Sequence, residues 1–193
     1  MCAGVVMREK IVAGVSGMPG AGKATVKEIV QEIGYPVVVM GDVIRAEVER
    51  RKLEPTPENL GWVMLKLREE EGAAVVAKRC IPKIKELKEK IIIIDGIRST
   101  LEVKDFKKQF PNFIIVAIHA SPETRFKRLF NRKRSDDPRI RETFIERDLR
   151  ELNVGLGDVI ATADHLIVNE GTKGQLRRKV DKLFGSILKK WMI

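Results

Sequence analysis

A doubly wound α/β fold follows from two features of the sequence. Short β-branched runs alternate with stretches of helical periodicity, and a glycine-rich turn joins the first run to the first helical pattern. The runs Ile11–Val15, Val37–Met40, Ile91–Ile94, Phe113–Ile118 and Leu166–Val168 are continuously apolar. Such runs predict strands covered on both faces, hence a parallel sheet with right-handed helical crossovers. Val26, Ile29, Val30 and Ile33 recur at i, i+3, i+4 and i+7, and Leu60, Val63, Met64 and Leu67 repeat the pattern. Leu176, Val180, Leu183, Ile187 and Trp191 outline a closing helix. The connection over residues 42–90 is longer than a crossover needs and predicts a small helical insert beside the sheet. Pro55 and Pro57 mark a turn within it, and Pro82 starts or kinks a helix. A second charged stretch runs from Arg125 to Arg150.

The 193 residues fit a single domain spanning 1–193. Hydrophobic residues at 44% and charged residues at 33% exclude a wholly disordered chain. No apolar run approaches the length that spans a bilayer, and the start MCAGVVMREK lacks the pattern of a secretory signal. Cys2 and Cys80 are too few for a disulfide framework or a zinc site, so a reduced, cytoplasmic protein is expected, with no membrane partner. The 37 basic and 27 acidic residues leave a formal charge of +10, which attracts polyanions: nucleic acid, anionic surfaces or nucleotide phosphates. Phe and Tyr are not interleaved with Lys and Arg as in a base-stacking platform. Charge therefore admits RNA as a partner without selecting it, and leaves monomer and dimer both open.

The strongest motif is Gly17-Met18-Pro19-Gly20-Ala21-Gly22-Lys23-Ala24-Thr25, directly after the first predicted strand. It satisfies G-x-x-x-x-G-K in a strand–turn–helix context. Glycines let successive N–H groups point into one concavity, the helix N-terminus adds its dipole, and Lys23 reaches the outer phosphates. Asp95 ends the run Ile91–Ile94, the place where a carboxylate orders magnesium through water in phosphate-transfer sites. Gly96 permits close approach, and Arg98 emerges at the C-terminal sheet edge, where ligands of open α/β sheets collect. Asp42 and Arg45 follow the second run, and their plain reading is a helix cap and a solvated arginine. His119 and His165 read as core or cap residues, and Cys80 as packing.

Taken in order, these elements resemble the nucleoside monophosphate kinases. The loop is similar to that of adenylate kinases, in which a threonine at the position of Thr25 serves the phosphate–magnesium site and a small residue stands at Ala24. Gly41-Asp42-x-x-Arg45 looks like the family element whose arginine binds the acceptor phosphate. Asp95-Gly-Ile-Arg98, one residue shorter than the family's Asp-Gly-Phe-Pro-Arg, makes Arg98 a second clamp. Arg134, Asp136 and Asp137 match the family's Arg-x-Asp-Asp unit. Arg147 or Arg150 takes the place of the following helix arginine that neutralises the phosphoryl group in flight. Ala163-Asp164-x-x-Ile167-x-Asn169-x-Gly171-Thr172 resembles the element beside the donor adenine. Met40 replaces a threonine near the acceptor base, and Glu102 replaces the glutamine that reads it.

On these residues the chain is identified as a member of the archaeal adenylate-kinase-related P-loop proteins, with dephospho-coenzyme A kinases as more distant relatives. The resemblance implies a P-loop NTPase fold: five parallel strands, a monophosphate-binding insert over about 42–90 and a short lid over about 128–138. It also implies ATP as co-substrate, Mg2+ held by Thr25 and Asp95 mostly through water, and AMP or a related nucleotide as acceptor. The alternatives are a nucleotide-binding or RNA-linked regulatory protein with little turnover, or a dephospho-coenzyme A kinase-like enzyme. The chain lacks the Asp-x-Pro-Leu-Leu-Phe-Glu element of the last.

Overall fold

In the computed structural model, residues 10–133 and 137–191 are described. Five strands, β1 (Ile11–Ser16), β2 (Val37–Val39), β3 (Ile91–Asp95), β4 (Asn112–His119) and β5 (His165–Val168), form one parallel sheet in the order β2-β3-β1-β4-β5. The helices are α1 (Lys23–Glu32), α2 (Met40–Arg50), α3 (Pro57–Glu71), α4 (Val75–Glu86), α5 (Thr100–Gln109), α6 (Pro122–Arg132), α7 (Arg141–Asn153), α8 (Leu156–Ala161) and α9 (Lys173–Trp191). This is a P-loop NTPase fold, and β1 lies at its centre.

The continuous apolar runs serve two separate cores, because successive side chains on a strand point to opposite faces. Val12, Ile92, Ile94, Phe113 and Ile115 face the insert helices together with α5 and Val159 of α8. Ile11, Ala13, Val15, Ile91, Ile93, Ile114, Val116 and Ile118 face α1 and α9. Two-sided burial holds for the inner strands only. At the edge, β5 leaves Leu166 and Val168 exposed and buries Ile167.

Several local expectations need correction. Met40 opens α2 instead of ending β2, so the helix starts ahead of Asp42, which sits in its first turn and does not cap it. Ile33 lies just past α1 and is exposed, whereas Val26, Ile29 and Val30 are buried as the periodicity requires. Pro82 falls inside α4 and neither starts nor ends it. Pro57 does open α3, with the Thr56 hydroxyl accepting from Asn59 N–H at 3.2 Å. His119 is exposed, so its ring takes no core role. Cys80 is buried as expected, and burial pushes its thiol up to about 11. Cys2 lies outside the described residues. Among the described residues no helix is long and apolar enough to cross a membrane.

The insert is knitted together by a buried carboxylate. Glu47 of α2 is almost fully buried and accepts from Arg50 on its own helix, from Arg51 just past its end and from Arg79 of α4 at 3.0 Å. Arg51 and Arg79 reach on to Glu70 and Glu71 at the end of α3. The three guanidiniums hold the Glu47 carboxyl far below the usual carboxylate range.

Candidate active site

The loop 17–22 turns from the C-terminal end of β1 into α1. Gly20 has φ +80°, and a Cβ there would stand 2.7 Å from the Arg125 carbonyl oxygen. Gly22 has φ +108°, and a Cβ there would meet Asn169 Nδ2 at 2.3 Å. Both therefore answer to conformation and to space.

Two side chains from elsewhere brace this loop. Asn169, buried just after β5, donates through Nδ2 to the Ala21 carbonyl at 2.8 Å, while its own N–H binds the His119 carbonyl at 2.7 Å. Arg125 of α6 is buried and donates to the Pro19 and Ala120 carbonyls, each at 3.2 Å. Its guanidinium makes a fork with Asp148 of α7 at 2.6 and 2.8 Å and lies over the Phe144 ring at 5.0 Å. Sequence reasoning missed Arg125, because its partner stands a whole helix away.

Lys23 curls over the loop, donating to the Gly17 carbonyl and to that of Met18 at 3.3 Å. Burial of its ammonium lowers the pKa to about 8. Asp95 and Glu151 oppose that shift, while Arg98 and Arg147 add to it. These five groups thus share one electrostatic neighbourhood, although α1, β3, the turn after it and α7 deliver them from distant parts of the chain. Burial raises the Asp95 carboxyl against the pull of Lys23, Lys27 and Arg98. Asp95 Oδ1 is buried without a hydrogen-bond partner among the described residues.

That orphaned oxygen, with the Thr25 hydroxyl in the first turn of α1, fits a hard divalent cation that prefers oxygen ligands. Among the described residues no three His, Cys, Asp or Glu side chains gather as a metal cage. An oxygen donor set this small suits a hydrated divalent cation such as magnesium.

On the insert, Arg45 is half-exposed, pairs with Asp42 and lies over Gly41, where a Cβ would stand 3.4 Å from Nη1. Arg98 is also exposed in part; its Nη1 stands 3.5 Å from Met64 Sδ of α3 and its Nε 3.5 Å from Glu151 Oε2. Glu102 is placed differently from a base-reading group. Its carboxylate is buried, with Oε2 accepting from the N–H groups of Arg98 at 2.9 Å and Ser99 at 3.3 Å, while Oε1 accepts from Arg68 at 3.1 Å. With Ser99 it forms the capping box of α5. It thereby fixes the backbone from which Arg98 projects.

Arg147 stands 3.8 Å from the buried Asp137 carboxylate, which Arg132 also holds at 2.9 Å. Arg150 is exposed. Arg134 and Asp136 lie outside the described residues. Thr172 and Gln175 cap α9 reciprocally, the Gln175 Oε1 accepting from Thr172 N–H at 2.9 Å and Thr172 Oγ1 from Gln175 N–H at 3.3 Å. The Gly171 carbonyl accepts from Arg128 at 3.4 Å.

A profile described as an AAA domain matches residues 16–146, from the end of β1 into α7. The UPF0200 protein of Pyrococcus furiosus is 48% identical over 177 residues, covering 90% of this chain and 95% of that protein. The chain belongs to the UPF0200 family. The UPF0200 proteins of Methanothermobacter thermautotrophicus, 43% identical over 180 residues, and Methanocaldococcus jannaschii, 47% identical over 180 residues, are likewise similar along nearly their whole lengths. Among solved structures, the UPF0200 chain resembles a gluconokinase from Sinorhizobium meliloti (TM-score 0.58, 14% identity, 95% of this chain and 96% of that one). It also resembles a shikimate kinase from Acinetobacter baumannii (TM-score 0.57, 17% identity, 93% and 95%). These likenesses establish a fold shared with small-molecule kinases.

Proposed function

We propose that this chain is an ATP- and magnesium-dependent phosphotransferase of the nucleoside monophosphate kinase type, working in the cytoplasm with AMP or a close analogue as acceptor. The observation that carries this reading is the convergence of Lys23, Asp95, Arg98 and Arg147 on one sheet edge beside a phosphate loop. The backbone N–H groups of residues 17–25, Pro19 excepted because it has none, and the Lys23 ammonium bind the donor phosphates. Asp95 and Thr25 orient the magnesium, which supplies charge neutralisation across the donor phosphates. Arg45 and Arg98 clamp the acceptor phosphate, and Arg134 and Arg147 neutralise charge on the phosphoryl group as it moves. Asn169 and Arg125 fix the loop from behind, while Gly171 and Thr172 line the approach of the donor base. Phosphoryl transfer needs positioning and neutralisation more than covalent chemistry, so convergent cations without a strong base suit it.

The reading is tested by coupled ADP formation over the common nucleoside monophosphates, with shikimate-like and gluconate-like hydroxy acids as further acceptors. AMP is expected to be phosphorylated best, and Lys23→Ala to lower kcat by about a thousandfold. Turnover that does not exceed the Lys23→Ala background with any acceptor overturns the enzyme assignment. Turnover confined to a hydroxy acid overturns the choice of acceptor.

A further inference from the structure

Two ion pairs that brace the loop and the start of α5 are tight and well aligned: Arg125–Asp148 closes to 2.6 Å and Arg68–Glu102 to 3.1 Å, each with a hydrogen bond. The pair at the mouth of the site is unlike them. Arg98 Nε and Glu151 Oε2 stand 3.5 Å apart, well beyond the roughly 2.8 Å of a charge-assisted hydrogen bond. Glu151 Oε2 is buried and has no hydrogen-bond partner among the described residues. A buried carboxylate oxygen left without a donor is unfavourable, so this contact is readily exchanged for a better one.

Position gives the pair its meaning. Glu151 lies on α7 one turn after Arg147, and the two side chains share a helix face. Arg98 leaves the end of β3 between α7 and Met64 of α3, so its guanidinium bridges the acceptor insert and the helix that carries Arg147. Arg45, the other acceptor-side arginine, is also held by a carboxylate, that of Asp42. An entering phosphate must displace both.

We infer that Glu151 is a specificity-determining residue of the acceptor site, a placeholder anion that holds Arg98 and yields it only to a phosphate monoester that also engages Arg45. Inorganic phosphate has only its own contacts to Arg45 and Arg98 with which to overcome the carboxylates that hold them. A monoester anchored through its remaining groups overcomes them with the help of those contacts. This rests on the acceptor-side assignment above, but its physical content is the competition between one carboxylate and a phosphate for Arg98.

The test is calorimetric titration of the full chain with inorganic phosphate and, separately, with AMP, in the wild type, Glu151→Gln, Arg98→Gln and the double variant. Glu151→Gln is expected to bind inorganic phosphate about tenfold more tightly and AMP about threefold more tightly, narrowing the discrimination between them. Neither gain should appear in the Arg98→Gln background. In turnover the same variant should lower the acceptor KM without raising kcat. Glu151→Asp, which withdraws the carboxylate while keeping its charge, should fall between wild type and Glu151→Gln. Unchanged or weaker phosphate binding in Glu151→Gln, or a gain that survives loss of Arg98, overturns the inference. If wild type and variants ignore AMP while the phosphate gain holds, the AMP assignment fails and the role of Glu151 stands.

Discussion

At Lys23 the needs of folding and of phosphate binding oppose each other. Its ammonium is buried against loop carbonyls, and burial lowers its pKa from the ordinary 10.5 to about 8. A lysine with a depressed folded-state pKa destabilises the native state fully below that value. The cost is relieved as pH rises from about 8 toward 10.5, where the unfolded chain still holds the proton. Lys23→Met is therefore expected to raise the Tm of the ligand-free protein at pH 7 while removing ATP binding, as calorimetry of both variants would show. For the wild type, the Kd for ATP should rise above pH 8 by up to about tenfold per pH unit, as the ammonium is lost before it can meet phosphate. A Kd flat from pH 7 to 9 would show that the ammonium stays charged in the empty loop.

Among the elements, α6 and α7 matter most, because Arg125 of α6 fastens the phosphate loop to Asp148 on the helix that carries Arg147. Arg125→Ala removes a buried guanidinium from Asp148 and from the Pro19 carbonyl. The expected loss is about 3 kcal/mol, read as a lower denaturant midpoint, together with a raised KM for ATP. The insert has its own dependence on charge. Since Glu47 is held far below the usual carboxylate range, its contribution is complete above the unfolded value of 4.5 and is lost only as pH falls through its lower folded value. Glu47→Gln should loosen α2, α3 and α4 already at pH 7, seen as faster hydrogen exchange there than in α1. The extent to which these elements were legible follows from how local their causes are. The phosphate loop, the inner strands and the α3 face declare themselves through residues a few positions apart. Glu102 did not, since a carboxylate in a capping box and one that reads a base share the same letter until Ser99 and Arg68 are placed. Arg125 and Glu151 were hidden for a related reason: each depends on a partner from a different strand or helix.

Across the whole molecule, the proposed reading gives Arg45 and Arg98 to the acceptor, on the side carrying the insert, and Lys23 and Arg147 to the donor. AMP alone is expected to slow hydrogen exchange in α2 and the start of α3, and a non-hydrolysable ATP analogue to slow it in the loop 17–25 and α7. Both ligands together should protect α7 beyond the sum of the separate effects. Protection of α7 by AMP with none in α2 would reverse the two subsites. The sheet that separates the two sides also separates two cores, one shared by the insert, α5 and α8, the other by α1 and α9. A change in side-chain volume on the insert face is met by insert helices, and the strands between keep the opposite face, with its glycine-rich turn, in register. On the proposed reading, the fold can be recut for a new acceptor by repacking one face alone, which would make the acceptor easier than the donor for divergence, or for design, to replace.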